Sequence, residues 1–278
     1  MNRLVEFWRL VAPVVVTLVA AWPATVLAQS PGPGPSAPGD QATELAKQQQ
    51  NPISSLISVP LQGNWDFGLG DREATGTIFN VQPVMPFGLS PGTNIILRVI
   101  LPLVSQPGRD DARVNGLGDV VATAFFSPAK SGGITWGVGP VFLLPTATNN
   151  ALGSEKFGIG PSAVVLTQPG PWTVGLLFNH LWSTSGADDR QDVNTTFLQP
   201  FVNYNLGGGL AVGASMEATG NWNADEHWTA PLLFSVSKVA RLGQRPVNFV
   251  VAAGPTVASP AGGANWRFRF MAVLLYPR

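Results

Sequence analysis

The chain has 278 residues, with Lys+Arg 16 against Asp+Glu 16, and no cysteine. Zero net charge speaks against a nucleic-acid binder, and the missing cysteines exclude disulfides, thiolate metal sites and a cysteine nucleophile. Only 12% of residues are charged, about half the ~25% of a soluble domain, so the sequence is built for an unusual solvent.

Residues 1–28 read as a secretory signal peptide. Arg3 and Arg9 supply a positive start, Leu10 to Ala21 an apolar core, and Val26-Leu27-Ala28 small residues at a cleavage position. The apolar core is shorter than the ~20 residues of a spanning helix. Residues 29–52 form a Pro/Gly/Gln-rich flexible segment. Within it, Thr43 to Gln50 has the composition for about two turns of helix, stopped by Pro52. A helix that short is marginal alone, which favours a frayed tether over an element docked in the body.

Residues 53–278 alternate apolar and polar side chains with period two, the signature of strands. Ile57, Val59, Leu61, Trp65 and Phe67 share one face; Ser58, Gln62, Asn64 and Asp66 share the other. Near the end, Trp266, Phe268, Phe270 and Leu274 oppose Arg267 and Arg269. About twelve such segments follow one another, with ten or fourteen also compatible. Most have the ~9–11 residues that a tilted strand needs to cross a bilayer. The connections alternate too. Ser90-Pro91-Gly92, Pro169-Gly170-Pro171 and Gly207-Gly208-Gly209 are short turns; Arg109 to Arg113, Asp188 to Asp192 and Asp225-Glu226-His227 are longer and charged. That asymmetry fits an antiparallel transmembrane β-barrel of the outer-membrane type, short-turned at its periplasmic end, where both termini would lie. Since an unpaired backbone group in hydrocarbon costs several kcal/mol, the first and last segments should pair. Pro60, Pro83, Pro102, Pro140, Pro161, Pro200, Pro231 and Pro255 fall inside segments, which calls for bulges or breaks in the ladder.

Several stretches carry a family resemblance: Gln50-Asn51-Pro52-Ile53-Ser54-Ser55-Leu56, Ile100-Leu101-Pro102-Leu103, Gly116-Leu117-Gly118-Asp119, Phe126-Ser127-Pro128-Ala129-Lys130, Trp136-Gly137-Val138-Gly139-Pro140, Leu144-Pro145-Thr146-Ala147-Thr148 and Gly158-Ile159-Gly160-Pro161-Ser162. Together they resemble bacterial outer-membrane barrels mislabelled "neuromedin U", similar to the meta-pathway phenol-degradation family of proposed transporters. The resemblance spans roughly residues 42–278. It implies an outer-membrane barrel that passes apolar or aromatic compounds, with no catalytic or binding residues to transfer. One departure is the C-terminus, Leu275-Tyr276-Pro277-Arg278, where the aromatic stands two residues before the end; such barrels commonly end in an aromatic that assembly machinery reads.

For function, a channel or transporter-like barrel for small solutes, aromatic or apolar ones among them, reads best. On the strand phase the lumen receives Gln62, Asp66, Asn80, Gln82, Arg98, Asp119, Gln199, Asn203, Glu217, Arg267 and Arg269. Charges of both signs at close quarters set selectivity in pores. The same arginines could instead neutralise Asp66, Asp119 and Glu217 in a plugged lumen, filled in part by Phe197 and Phe201, which would suit a structural or envelope-interaction role. Trp65, Trp136, Trp172, Trp182, Tyr204, Trp222, Trp228, Trp266 and Tyr276 sit near segment ends, as interfacial girdles do. A lipid-modifying enzyme is the weaker reading: His180 and Ser183 lie three residues apart and fall on opposite faces of a strand unless a bulge intervenes. No metal or cofactor is expected. The expected partners are outer-membrane lipid, the barrel assembly machinery and a small solute; the oligomeric state stays open.

Overall fold

The computed structural model describes residues 38–108, 112–130 and 132–277. The signal peptide, the first part of the 29–52 segment and the loop residues Arg109, Asp110 and Asp111 lie outside them. The described residues form one helix and fifteen strands. The helix, α1, spans Pro38–Gln50. The strands are β1 Ile57–Leu69, β2 Ala74–Val81, β3 Val84–Ser90, β4 Thr93–Pro107, β5 Arg113–Leu117, β6 Val120–Pro128, β7 Ile134–Leu144, β8 Lys156–Thr167, β9 Trp172–Gly186, β10 Asn194–Gly207, β11 Leu210–Met216, β12 Ala218–Asn221, β13 Trp228–Leu242, β14 Arg245–Ala258 and β15 Trp266–Tyr276. No described helix is long and apolar enough to cross a membrane.

Three strand pairs, β2–β3, β5–β6 and β11–β12, are halves of single interrupted strands: the first and last pairs share both neighbours, and β5 and β6 share β4. The result is a twelve-stranded antiparallel barrel. Eleven residues of β1 pair with β15, from Ile57 opposite Tyr276 to Phe67 opposite Trp266, and this seam closes the sheet. Closure leaves no open edge, which is what a strand-built membrane span requires.

The outer face is apolar. Leu103, Ile134, Val138, Val165, Val174, Leu176, Val212, Phe234 and Phe270 are all exposed on it. An apolar band of this kind finds its solvent in lipid rather than water. The inner face alternates with it and is of two kinds. One side is packed with Ile96, Phe125, Val164, Leu166 and Leu177, with Phe197 and Phe201 against them. The other side carries amides, hydroxyls and charges.

The internal prolines explain the irregularities of the wall. At the three strand interruptions the ladder meets a proline on the adjoining strand. Gln82 donates its backbone N–H to the carbonyl of Pro60, Gly118 to that of Pro102, and Glu217 to that of Pro231. A proline accepts such a bond but has no N–H to return. Three further prolines follow glycine, in Gly139-Pro140, Gly160-Pro161 and Gly254-Pro255. At each, cross-strand pairing lapses for two residues on one side and then resumes in the same register. A Cβ on Gly139, Gly160 or Gly254 would run into the backbone carbonyl oxygen of Ala124, His180 or Leu232 respectively. At these corners the two backbones approach closely, and glycine is the residue that lets them.

The helix departs from the sequence expectation. It has 13 residues rather than two turns, and it is seated on the barrel instead of fraying. Lys47 donates its Nζ to the carbonyl of Gly170 at 2.8 Å, and Gln168 Nε2 donates to the carbonyl of Lys47 at 2.9 Å. Leu45 packs on the buried Leu56, Val273 and Leu275. The turns that hold α1, around Gly170 and Gly209, belong to the short-turn end of the barrel. The isolated-helix penalty is thus offset by partners on distant strands.

Candidate functional site

Inside the barrel, between the end of α1 and a belt of ionic side chains, lies a cavity of about 350 Å3. Its wall contains Gln62, Asn80, Gln82, Arg98, Gln199, Asn203, Glu217 and Arg269. The helix end supplies Gln49, Gln50 and Asn51, and the segment after it Pro52 and Ser54. Val84, Phe197 and Phe201 add an apolar flank.

The ionic belt starts at the closing seam. Asp66 and Arg267 are direct cross-strand partners, as are Asn64 and Arg269. Arg267 grips Asp66 with two parallel bonds, Nε to Oδ1 at 2.6 Å and a terminal nitrogen to Oδ2 at 2.9 Å. Glu217 reaches the same place from the β11–β12 interruption. Its Oε1 accepts from Arg269 at 2.7 Å and from Gln199 at 3.2 Å; its Oε2 accepts from Arg269 at 2.6 Å and from Arg267 at 3.3 Å. Arg269 Nε is bound to Asn64 Oδ1 at 2.7 Å. Bidentate guanidinium–carboxylate pairs of this sort combine charge with fixed geometry. Asp66 and Arg267 lie one register step beyond Asn64 and Arg269, on the side away from the cavity and toward the longer connections.

Arg98 stands apart from the belt. On β4, opposite Val84 of β3, it donates to Gln82 Oε1 at 2.9 Å, its one hydrogen bond to another side chain among the described residues. Gln82 is itself placed by the β2–β3 interruption. Two of the three strand interruptions therefore deliver a polar side chain, Gln82 or Glu217, to an arginine in the lumen.

Asp119 lies outside the cavity wall, as do Asp66 and Arg267. It sits beside the β5–β6 interruption and accepts from the backbone N–H groups of Ala147 and Ser154, at 3.2 and 2.6 Å, and from the Ser154 hydroxyl at 2.7 Å. It braces the 145–155 connection. Arg190 clips the same connection from the far side through the carbonyls of Asn150 and Gly153. Nearby, Lys156 pairs with the exposed Asp192 at 3.1 Å. Hydrogen bonds from Lys156 and Ser183 hold the Asp192 carboxyl below the usual carboxylate range.

The aromatic residues divide by end. Trp136, Trp172, Tyr204 and Tyr276 lie on strand residues next to the short turns; Trp65, Trp182, Trp222, Trp228 and Trp266 lie toward the long connections. Trp172 and Tyr204 meet edge-on at 4.8 Å, Trp222 and Trp228 at 5.8 Å. His180 and Ser183 are not brought together: His180 Nδ1 is joined to Thr196 Oγ1 at 2.7 Å, while Ser183 Oγ donates to Asp192 at 3.0 Å.

What spacing alone did not show is the seat of the helix. Gln50 Oε1 accepts from Thr173 at 2.7 Å and from Asn205 at 3.2 Å, and Gln49 Oε1 accepts from Asn248 at 2.6 Å. Thr173, Asn205 and Asn248 are all buried. Three inward-facing polar residues on β9, β10 and β14, clustered at the short-turn end, were the available signal.

No family profile and no curated protein sequence matches the chain. Among solved structures, it is similar to an outer membrane channel from Pseudomonas putida F1, with a TM-score of 0.59 at 15% identity, over 80% of this chain and 94% of that one. A second similarity is to outer membrane phospholipase A from Escherichia coli, with a TM-score of 0.46 at 12% identity, over 86% and 98% of the two chains. At these identities the likeness to the channel shows the shared barrel fold.

Proposed function

We propose that this protein is an outer-membrane channel for small solutes, closed in the described state by its own N-terminal helix. The apolar outer band and the closed sheet fit it to a bilayer, and the fold it shares with a solved outer membrane channel supports the reading. The observation that carries it is how α1 is held. Its grip on the barrel runs largely through neutral amides and hydroxyls, Gln50 with Thr173 and Asn205, and Gln49 with Asn248. Each such bond contributes only about 1 kcal/mol net, and water can replace it. The helix's apolar anchors are small, the partly buried Leu45 and the buried Ala46. A stopper so fastened can leave, whereas a permanent plug would bury a large apolar face. Behind it lies a cavity already open to polar and apolar contact. The signal peptide read over residues 1–28 gives the route of export.

The test is conductance in planar bilayers of the refolded chain. The parent should be closed most of the time, and K47A/Q49A/Q50A should raise the open fraction at least tenfold. Silence of both proteins, each shown to be folded by heat-modifiable migration, would defeat the channel and leave a sealed barrel with a structural role.

A further inference from the structure

Among the described residues, the belt and cavity hold one more cation than anion. Arg98, Arg267 and Arg269 face Asp66 and Glu217. Asp66 is taken by Arg267. Glu217 accepts four hydrogen bonds, two at each oxygen, which fills the roughly four acceptor positions of a carboxylate. No described carboxylate of the belt or cavity hydrogen-bonds Arg98. Its partner is the neutral Gln82, through one of its terminal nitrogens, and a guanidinium carries five N–H donors. A charge withdrawn from bulk water without a counter-ion is costly. Arg98 itself lines the cavity.

We infer that the cavity is a binding site for a small organic monocarboxylate, its carboxylate held by Arg98 and its apolar body laid along Val84, Phe197 and Phe201. This deepens the channel reading by naming a solute class and rests on that reading for its physiological meaning. The charge requirement comes from Arg98. The planar guanidinium fork matches a carboxylate in two-point contact. The apolar requirement comes from the opposite flank. Val84 is the direct cross-strand neighbour of Arg98, and it belongs to the same packed cluster as Phe197 and Phe201. A carboxylate at Arg98 therefore starts beside an apolar wall. The volume, about 350 Å3, falls in the range of small-molecule pockets. A long acyl chain would have to displace α1 or the ionic belt. A bare inorganic anion would leave the flank unused.

The test is equilibrium calorimetry on the detergent-solubilised full chain and, so that the stopper cannot mask the site, on K47A/Q49A/Q50A. Benzoate is the probe; benzamide is its neutral counterpart, and cyclohexanecarboxylate, acetate and inorganic phosphate complete the set. Saturable benzoate and cyclohexanecarboxylate binding is expected, at least tenfold tighter than benzamide, acetate or phosphate. R98Q should weaken benzoate at least tenfold. Q82E, which sets a carboxylate of the protein's own against Arg98 without removing the cation, should do the same. Equal binding of benzoate and benzamide, indifference to both substitutions in heat-modifiable protein, or no binding in either background overturns the site. Benzoate binding with no conductance would defeat the channel and spare the site; conductance without binding would do the reverse.

Discussion

Glu217 shows how a backbone irregularity becomes electrostatics. Pro231 lacks the N–H that would continue the ladder, the strand breaks between Met216 and Ala218, and the side chain between them swings to two arginines. Because both are largely shielded from solvent, with side-chain exposures of 8% for Arg269 and 18% for Arg267, the pairing is not the weak surface kind. E217A would leave Arg269 without a carboxylate while Arg267 keeps Asp66. Removing one partner of a buried pair costs about 3–5 kcal/mol, and the loss should appear in urea unfolding of the barrel in lipid. D66A should cost less, since Arg267 still reaches Glu217 at 3.3 Å. The charge-balanced E217M/R269M should recover much of the loss, as apolar replacement of a whole buried pair often does. An E217A barrel within 0.5 kcal/mol of the parent would show that water, not the carboxylate, satisfies these arginines.

The strands owe their shape to Gly-Pro corners as much as to alternation. Gly160 faces inward at a point where the His180 carbonyl leaves no room for a methyl group. G160A must push the two strands apart and should destabilise the barrel by about 2–3 kcal/mol, the scale of overpacking a tight site. Gly88 meets nothing within 4 Å of the Cβ position, so G88A should fall within about 0.5 kcal/mol of the parent, the usual range for surface substitutions. Equal, small effects at both positions in the same urea experiment would mean that the corner relaxes freely. Alternation is strictly local, so all twelve barrel strands are legible in the sequence. The prolines are visible there as well, but not which strand each one faces, because that depends on register across the sheet. The helix seat is hidden for a related reason. Gln50 finds Thr173 and Asn205, and Gln49 finds Asn248, 123 to 199 residues away, and nothing in a run of glutamines announces those partners. Strand phase gives the face of Asp119 but not its partners, Ala147 and Ser154, which lie on a connection whose course no periodicity describes.

For the whole molecule, the proposed channel carries a charge rule for anything that would pass. Closure of β1 on β15 brings Asp66 beside Arg267, Glu217 bridges both seam arginines, and the belt carries as many anions as cations. Arg98 is then the excess charge of the described belt and cavity. Within a screening length of about 8–10 Å at ordinary salt, a fixed positive charge on a narrow, partly apolar passage attracts anions and repels cations. Once the helix is loosened in K47A/Q49A/Q50A, the reversal potential in a potassium chloride gradient should therefore show anion preference. Adding R98Q removes the excess and should bring the preference close to neutral, without the loss of stability expected when Glu217 is cut out of its network. A preference unchanged by R98Q would locate the selecting charge elsewhere, in the long connections, where Lys156 is already paired with Asp192. A cation preference would contradict the count itself, because it would require an anionic charge beyond Asp66 and Glu217 to face the passage.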